Sequence, residues 1–477
     1  MSSRQSAKPV VGNGSNGHAR LMTLSSRGAE FAPEAPSLSP FAGKAWAVFL
    51  ATLYPLLVVA PLAILAAVHP ESDHPALAEL GVDCAVLGFT IVSLQFVITA
   101  RLPWIEAPFG LDLVLVFHRV MALVAVTLLC VHPVLVASAE GWPLLTRLYV
   151  HWYIWVGRFA LALLLLHVTV SLSRRALHLS YERWRRLHNL FALTILVAGF
   201  THSVTAGDDM RDNGRRMLWA IAPALGLATW LYSRAIRPRL LARRPFRVLS
   251  IKPEAPRVWT LTLEAPAGRP FQFLPGQFQF LRFLGADVPP EEHPFTIAST
   301  SARTDRVSLT IKASGDFTSA LGRIRAGDRA TIHGPFGRFS HDLHPDEADL
   351  VFVAGGVGIT PLMSMLRAMR DRRELRRVTL VYATHGMDDI LFAGELSAME
   401  AGWWPALKVI YVLSQPPSWW AGEIGRIDTN RLQAWSGGVD GKAFYLCCPP
   451  KMTGELVRGL RRMRVSPRRV HCDYFSL

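Results

Sequence analysis

Six long apolar segments occupy most of the first 240 residues and restrict what this part of the chain can fold into. A hydrocarbon core of about 30 Å needs roughly 20 consecutive apolar residues in a helix, and every backbone polar group inside it must be paired within the segment. The segments are residues 45–68, 84–100, 113–137, 149–172, 187–205 and 217–235. They predict a bundle of six transmembrane helices.

Lys and Arg are concentrated at three places along this region. They stand before the first segment, between the fourth and fifth, and after the sixth, whereas residues 69–83 carry only acidic charges. Because cytoplasmic loops carry the excess of basic residues, both chain ends and the second half of the chain are predicted to lie in the cytoplasm, at the plasma membrane. The net charge of +15 therefore indicates the lipid bilayer as a partner. Nucleic acid is excluded as a partner, because the basic residues neither line an amphipathic face nor alternate with aromatic residues.

The composition also divides the chain into four parts. Residues 1–44 are rich in Ser, Gly, Ala and Pro, carry Arg4, Lys8, Arg20 and Arg27, and contain no apolar run. They predict a disordered cytoplasmic tail without the hydrophobic core of a signal peptide. The membrane domain is expected at 45–240.

The second half of the chain changes from long apolar segments to short ones. Alternating runs at 278–283 and 306–312 predict antiparallel strands of a small β-barrel domain spanning 245–346. Buried strands alternate with helical stretches in residues 349–477, which predicts an α/β domain with a parallel sheet. The predicted fold class is therefore multidomain: an all-α transmembrane bundle, an antiparallel β-barrel and a parallel α/β domain.

Four histidines lie inside the predicted spans, His118 and His132 on the third and His188 and His202 on the fifth, each pair separated by 14 residues. At about 100° and 1.5 Å per residue, the members of a pair share a helix face within about 40° and lie roughly 21 Å apart. A single intramembrane histidine can equally be packed or hydrogen-bonded between helices. Two matching pairs instead predict two stacked b-type haems, with an inner pair, His118 and His188, and an outer pair, His132 and His202.

Other candidate groups in the membrane region carry less information. Arg119 and Arg158 lie in or at the edge of spans, where haem propionates would pair with them, or where the side chains would snorkel to the interface. Further histidines have no partner at matching spacing and are assigned interfacial or packing roles: His69, His74, His151 and His167. Five cysteines without a C-x-x-C pair exclude a disulfide framework, a thiol redox motif and a structural zinc site.

The soluble half contains a series of motifs in a fixed order. They are Pro275-Gly-Gln-Phe278, His293-Pro-Phe-Thr-Ile-Ala-Ser299, Gly315-Asp-Phe-Thr318, Gly355-Gly-Val-Gly-Ile-Thr-Pro361, Cys447-Cys-Pro-Pro-Lys-Met452 and His471-Cys-Asp-Tyr-Phe475. With these motifs, residues 44–477 resemble the transmembrane ferric reductase and NADPH oxidase superfamily, whose cytoplasmic part is similar to ferredoxin-NADP reductase.

The resemblance implies an FAD site in the predicted barrel domain. Pro294, Phe295 and Thr296 would line the isoalloxazine, with Thr296 hydrogen-bonding near the flavin N5. His293 stands where soluble reductases usually have Arg and membrane members often have His. The FAD pyrophosphate would be held by a further set of residues: Lys312, Gly315, Phe317 and Thr318.

The glycine-rich turn after the first α/β strand predicts a nicotinamide nucleotide site. Gly355, Gly356 and Gly358 let the backbone approach a pyrophosphate, and the helix start favours the anion, with Thr360 as a cap and Pro361 in the first turn. Such a turn can also be no more than a tight turn. By resemblance, the segment that begins at Cys447 lies beside the nicotinamide.

Five further positions depart from the family pattern or complete it. Cys447 is expected near the hydride path, with Cys448 in place of the usual Gly. Phe475 is expected to cover the flavin, after Asp473 in place of Glu. His385 stands where the family often has an Arg for the 2′-phosphate of NADPH, which leaves NADH and NADPH both open.

The expected function is an NAD(P)H-dependent flavohaem oxidoreductase that moves electrons through FAD and two b-type haems to a small acceptor across the membrane. Ferric chelates are favoured over oxygen, because Val136 replaces the polar group expected near the outer haem of an oxidase, and the first span has no Arg. Two alternatives stay open, a superoxide-producing NADPH oxidase and a haem-binding membrane anchor or sensor without turnover. The sequence identifies no protein partner.

Overall fold

A computed structural model describes residues 43–68, 75–206, 212–285, 287–402 and 407–473. Several predictions fall outside these residues: the N-terminal tail apart from its last two residues, the histidines His69 and His74, and the proposed flavin cover Phe475. The described chain consists of an N-terminal helical region followed by two sheet domains.

The helices of the first region are α1 Lys44–Val68, α2 Ala76–Ile98, α3 Pro103–Phe109, α4 Leu111–Glu140, α5 Trp152–Leu172, α6 Tyr181–Ala206, α7 Asn213–Leu231 and α8 Arg237–Ala242. All six predicted apolar segments are helical. Among the described residues, five helices (α1, α2, α4, α5 and α6) are long and apolar enough to cross a membrane. The sixth segment forms α7, whose first turn contains Arg215 and Arg216 and is therefore less apolar.

Helix α2 is the central helix of this region. Most of its residues are buried, and it packs against α4, α7 and α1. Its glycines allow close approach: a Cβ atom built on Gly88 would lie 2.9 Å from the side chain of Leu129 on α4. Small residues at helix interfaces are a common way for membrane helices to pack, because lipid offers no hydrophobic driving force between them.

The first sheet domain is antiparallel. Its strands are β1 Phe246–Ala255, β2 Val258–Glu264, β3 Phe278–Leu284, β4 His293–Thr296, β5 Arg306–Lys312 and β6 Arg329–Phe336, in the order β4-β3-β6-β1-β2-β5. An antiparallel bridge between Ile297 and Leu309 joins the first strand of this order to the last, so the sheet curves toward the predicted barrel. A short helix, α9 Asp316–Ser319, follows β5.

The second sheet domain is the predicted parallel α/β domain. Its strands are β7 Asp349–Gly355, β8 Arg377–Thr384, β9 Leu407–Leu413, β10 Glu423–Ile424, β11 Ala443–Cys447 and β12 Val470–Cys472, in the order β10-β9-β8-β7-β11-β12. Its helices are α10 Ile359–Asp371, α11 Ala393–Gly402, α12 Thr429–Ser436 and α13 Pro450–Arg462. Because β7 and β11 are parallel neighbours, the residues that follow them meet at one edge of the sheet.

Candidate functional site

The inner pair of histidines faces across two helices. The ring centroids of His118 on α4 and His188 on α6 lie 6.3 Å apart, with an angle of 70° between the ring planes. Two metal–imidazole bonds of about 2 Å, plus roughly 1 Å from each bonded nitrogen to its ring centre, require about 6 Å between centroids. The separation therefore fits one metal ion held between the two rings.

Each of the four histidines has its Nδ1 atom engaged. The contacts are His118 Nδ1 to Gln95 Oε1 at 2.6 Å, His132 Nδ1 to the Gly81 carbonyl at 2.9 Å, His188 Nδ1 to His167 Nε2 at 2.7 Å, and His202 Nδ1 to the Tyr153 carbonyl at 2.8 Å. An oxygen acceptor on Nδ1 fixes the ring proton there and leaves the Nε2 lone pair for a metal. The inner pair thus fits one bis-imidazole haem site by its separation, and the engaged Nδ1 atoms of His132 and His202 suit these two rings to a second.

The structure adds residues to this site that spacing could not reveal. Sequence reasoning gave His167 an interfacial or packing role, but on α5 it contacts His188, with ring centroids 4.4 Å apart. Gln95 of α2 is buried and pairs with His118. A buried glutamine on a central helix is a signal that a sequence search for intramembrane polar residues would have found.

The two arginines predicted to contact propionates make other contacts. Arg158 donates to the backbone carbonyls of Arg147 at 2.9 Å and Leu144 at 2.8 Å, and its guanidinium lies over the Trp155 ring. Arg119 is exposed on α4. Their contacts with haem propionates remain predictions.

The inner pair lies at the end of the helical region that meets the antiparallel domain. Leu111, the first residue of α4, is buried against Phe280 and Phe336 of that domain. Glu106 accepts the Gly337 N–H at 2.8 Å, and Arg338 donates to the Ala107 carbonyl at 2.7 Å. Burial raises the pKa of Glu106 to about 7, although this N–H group and the charge of Arg338 oppose the shift.

An ion pair lies in the same interface, beside β4, the strand that contains the residues predicted to line the flavin. Arg101, just after α2, pairs with Glu292 at 2.8 Å and stacks 3.5 Å from the centre of the Phe280 ring. Burial alone would raise the pKa of Glu292, but the nearby His333 and Arg101 lower it to about 2. Glu292 immediately precedes His293, so this ion pair connects the membrane helices to the first residue of β4.

Strand β4 contains the residues predicted to line the flavin. It pairs with β3, and Thr296 is buried. Phe317 lies in the domain core, with its ring 4.3 Å from that of His293 and 5.9 Å from that of Phe295, so it packs behind β4. Pro294 is exposed on the same strand.

The loop predicted to hold the FAD pyrophosphate is exposed. Lys312 is exposed at the end of β5, and a Cβ built on Gly315 would meet open space. The Thr318 hydroxyl oxygen accepts hydrogen bonds from the N–H groups of Ser314 and Gly315. The open space and the adjacent lysine fit a pyrophosphate, which would compete with the Thr318 hydroxyl for these N–H groups.

The glycine-rich turn and the cysteine turn lie against each other at the edge of the parallel sheet. A Cβ built on Gly358 would lie 2.0 Å from the Cys447 carbonyl oxygen, and one on Gly355 2.6 Å from Pro449. Gly356 has a φ of +56° and open space around it. Only glycine therefore allows this approach of backbone to backbone, and the open side of the turn fits a nucleotide.

The remaining predicted residues surround this turn. Thr360 and Pro361 are buried in the first turn of α10, where the Thr360 hydroxyl donates to the Val357 carbonyl. Burial raises the pKa of the Cys447 thiol, so it stays protonated and is a poor nucleophile. His385 is exposed after β8, with its Nδ1 3.1 Å from the Ser414 hydroxyl.

Three protein families match consecutive parts of the chain. Residues 84–199 match the ferric reductase like transmembrane component, 245–335 an FAD-binding domain, and 352–457 an oxidoreductase NAD-binding domain. Together, the three matched parts correspond to a ferric reductase and NADPH oxidase-like fusion. This fusion is a flavin-dependent oxidoreductase with membrane helices, and it transfers electrons from NAD(P)H through FAD.

Individual relatives of the fusion match its reductase half. NADH-cytochrome b5 reductase 1 of Laccaria bicolor is 25% identical over 283 residues, which cover 56% of this chain and 90% of the relative. NADH–cytochrome b5 reductase 1 of Arabidopsis thaliana is 30% identical over 178 residues, 36% of this chain and 63% of the relative. The crystal structure of the Amycolatopsis cytochrome P450 reductase GcoB is 25% identical and covers 49% of this chain and 69% of its own, with a TM-score of 0.43.

Proposed function

We propose that this oxidoreductase moves electrons from cytoplasmic NAD(P)H through FAD and two b-type haems to ferric chelates on the far side of the plasma membrane. The observation that carries the proposal is the state of the four histidines: each has its Nδ1 engaged, and the inner pair is spaced for one iron. When bound, FAD supplies hydride acceptance and single-electron release, and the haems supply single-electron relay.

The residues of the chain supply binding, orientation and insulation. The turn at Gly355 and Gly358 holds the nucleotide against the end of β11, and Thr296 orients the flavin on β4. His118 and His188 would hold the inner haem at the reductase end of the helices. His132 and His202, 14 residues further along the same helices, lie roughly 21 Å away by helix rise.

The orientation in the membrane is supported by charge. Arg101, Arg234 and Arg237 lie at the end of the helices that contacts the reductase domains, where Arg237 donates to the Ala100 carbonyl and Arg234 to Asn189. Arginine on this side favours the cytoplasm. The reductase domains are therefore proposed to be cytoplasmic, with the outer pair facing the opposite side.

A ferric chelate is the proposed acceptor because the surroundings of the outer pair are apolar where an oxidase is expected to have a polar group. Val136 lies one turn beyond His132 and packs close to Gly81, whose carbonyl accepts from His132. Single-electron transfer to a ferric chelate does not need the polar pocket that an oxidase is expected to offer to oxygen. Oxygen as the acceptor is the competing outcome of the experiment below.

NADH is the proposed donor. Two relatives of the reductase half are named as NADH reductases. His385 offers no permanent charge to a 2′-phosphate and is paired with Ser414 instead. A ratio of kcat/KM values that favours NADH, and a shift of that ratio toward NADPH in His385→Arg, would support this choice.

The experiment that tests the whole proposal is stopped-flow reoxidation of the purified protein. The protein is reduced with NADH under anaerobic conditions and mixed with ferric citrate or with oxygen, while the b-haem absorption band is followed. Rapid, saturable reoxidation by ferric citrate with a slow oxygen reaction is expected. Fast reoxidation by oxygen with superoxide release would instead make the protein an oxidase, and absence of a haem band would overturn the proposal.

A further inference from the structure

We propose that His167 is a positioning residue for the inner haem: it accepts the Nδ1 proton of His188 and so sets the orientation and electron donation of that ligand. This inference rests on the proposed function, because it assumes that His188 binds a haem iron. His167 belongs to α5, whereas the proposed inner ligands belong to α4 and α6.

The distances define the hydrogen bond. His167 Nε2 lies 2.7 Å from His188 Nδ1, and the two rings meet edge to face at 80°. The next polar atom near His188 Nδ1 is the Ser171 hydroxyl at 3.4 Å, which itself accepts from the Trp184 indole N–H. His167 is therefore the dominant partner of this nitrogen.

The direction of this hydrogen bond follows from metal ligation. An imidazole that binds a metal through Nε2 in its neutral form carries its proton on Nδ1, so His188 must be the donor and His167 Nε2 the acceptor. The other three ligands donate to oxygen atoms of Gln95, Gly81 and Tyr153. His188 is thus the one proposed ligand whose acceptor is a nitrogen base.

A stronger acceptor on Nδ1 makes the ligand more electron-donating and favours the ferric state of the bound iron. Removal of His167 should therefore raise the midpoint potential of the inner haem. Without His167, the preference of the inner site for ferric over ferrous haem should fall about tenfold. This change corresponds to an increase of about 59 mV in the midpoint potential of a one-electron couple. The outer haem, on the far side of the bundle, should not change.

The test is a potentiometric titration of the full-length holoprotein, followed at the b-haem band, for wild type, His167→Phe and His167→Gln. In His167→Phe one of the two haem waves is expected to move to higher potential. In His167→Gln, whose amide oxygen keeps an acceptor near the Nε2 position, that wave should return toward the wild-type value. His151→Phe, at the residue that precedes the same helix, is the matched control, because it retains the ring stacking with Tyr153 and should move neither wave.

Two results would overturn the inference. Both waves could stay in place in His167→Phe, or His188→Ala could retain two bis-imidazole haems, in which case His167 would itself be the ligand. Loss of one haem in His167→Phe with recovery in His167→Gln would support the positioning role. A wild-type protein without two haems would overturn the proposed function instead, so the two failures are distinguishable.

Discussion

The inner and outer histidine pairs occupy the same two helices but are held in different ways. The inner histidines contact side chains, His118 that of Gln95 and His188 that of His167. The outer histidines contact backbone carbonyls, His132 that of Gly81 and His202 that of Tyr153. A backbone acceptor survives substitution of its residue, whereas a side-chain acceptor does not. The inner site is therefore the one whose hydrogen-bond acceptors single substitutions can remove.

The largest effect is expected from the ligands themselves. His188→Ala should abolish reduction of either haem by NADH, because electrons enter at the inner pair. His202→Ala should leave the inner haem reducible by NADH. It should lower only the rate of ferric citrate reduction, by roughly 100-fold or more. Flavin reduction by NADH should change less than about twofold in both, because the reductase domains are untouched.

These variants are compared by haem content and by stopped-flow reduction at separate flavin and haem wavelengths. Equal haem reduction in His188→Ala and His202→Ala would contradict the assignment of an inner and an outer pair.

The second prediction concerns the contact that only the inner end makes with the reductase domains. Arg101→Met removes the ion-pair partner of the half-buried Glu292 and leaves that carboxylate with the more distant His333, which should loosen the docking of β4. Haem reduction should slow roughly tenfold while flavin reduction stays unchanged, since only the distance between the two sites is affected.

Arg306→Met is the matched control, because Arg306 pairs with Asp305 on an exposed edge of the same domain. The measurement is the rate of haem reduction by NADH under anaerobic conditions. Equal slowing of flavin and haem reduction in Arg101→Met would show damage to the reductase rather than to its docking.

A third prediction sharpens the difference between side-chain and backbone acceptors. Gln95→Leu should raise the potential of the inner haem alone, because His118 loses its acceptor. Gly157→Ala should disturb the outer haem alone, because a Cβ there would lie 2.7 Å from the His202 ring. Redox titration of both variants is the measurement, and a shift of the same wave in each would remove the distinction.

The smallest expected effect is a pH dependence at the inner end. The pKa of Glu106 rises from its ordinary value to about 7 in the folded protein, so the folded state binds a proton that the unfolded state releases in this window. Stability should therefore fall as pH rises from about 4.5 to 7, by up to about 3 kcal/mol at about 1.4 kcal/mol per pKa unit.

Glu106→Gln lacks this proton and should show a flatter profile. The apparent unfolding temperatures of the two proteins are compared between pH 5 and pH 8 in the same detergent. A difference in unfolding temperature that stays constant from pH 5 to pH 8 would show that the titration of Glu106 does not affect stability in this range.

The sequence was sufficient for features encoded in local patterns. Apolar length predicted the helices, and strand alternation predicted the two sheet domains. The 14-residue spacing singled out four histidines whose role as haem ligands stays a prediction. The contacts of Gly355 and Gly358 with the Cys447 turn follow from the glycine-rich motif, because glycines in such a motif allow the backbone to approach closely.

Features that depend on tertiary contacts could not be predicted in this way. Gln95 lies 23 residues from His118, His167 lies 21 from His188, and Arg101 lies 191 from Glu292. These pairs form because helix packing brings separate faces together, and no period in the sequence records which faces meet.

The burial of Cys447 has a consequence for the lifetime of the enzyme. The thiol lies at the turn where hydride transfer is proposed, and sulfur oxidation proceeds through the thiolate. Because burial raises the pKa of this thiol and the side chain is 0% exposed, little thiolate is present to attack peroxide that stray electrons form from oxygen. Cys447 can therefore lie beside a flavin through many catalytic cycles without being oxidised to a sulfinic or sulfonic acid.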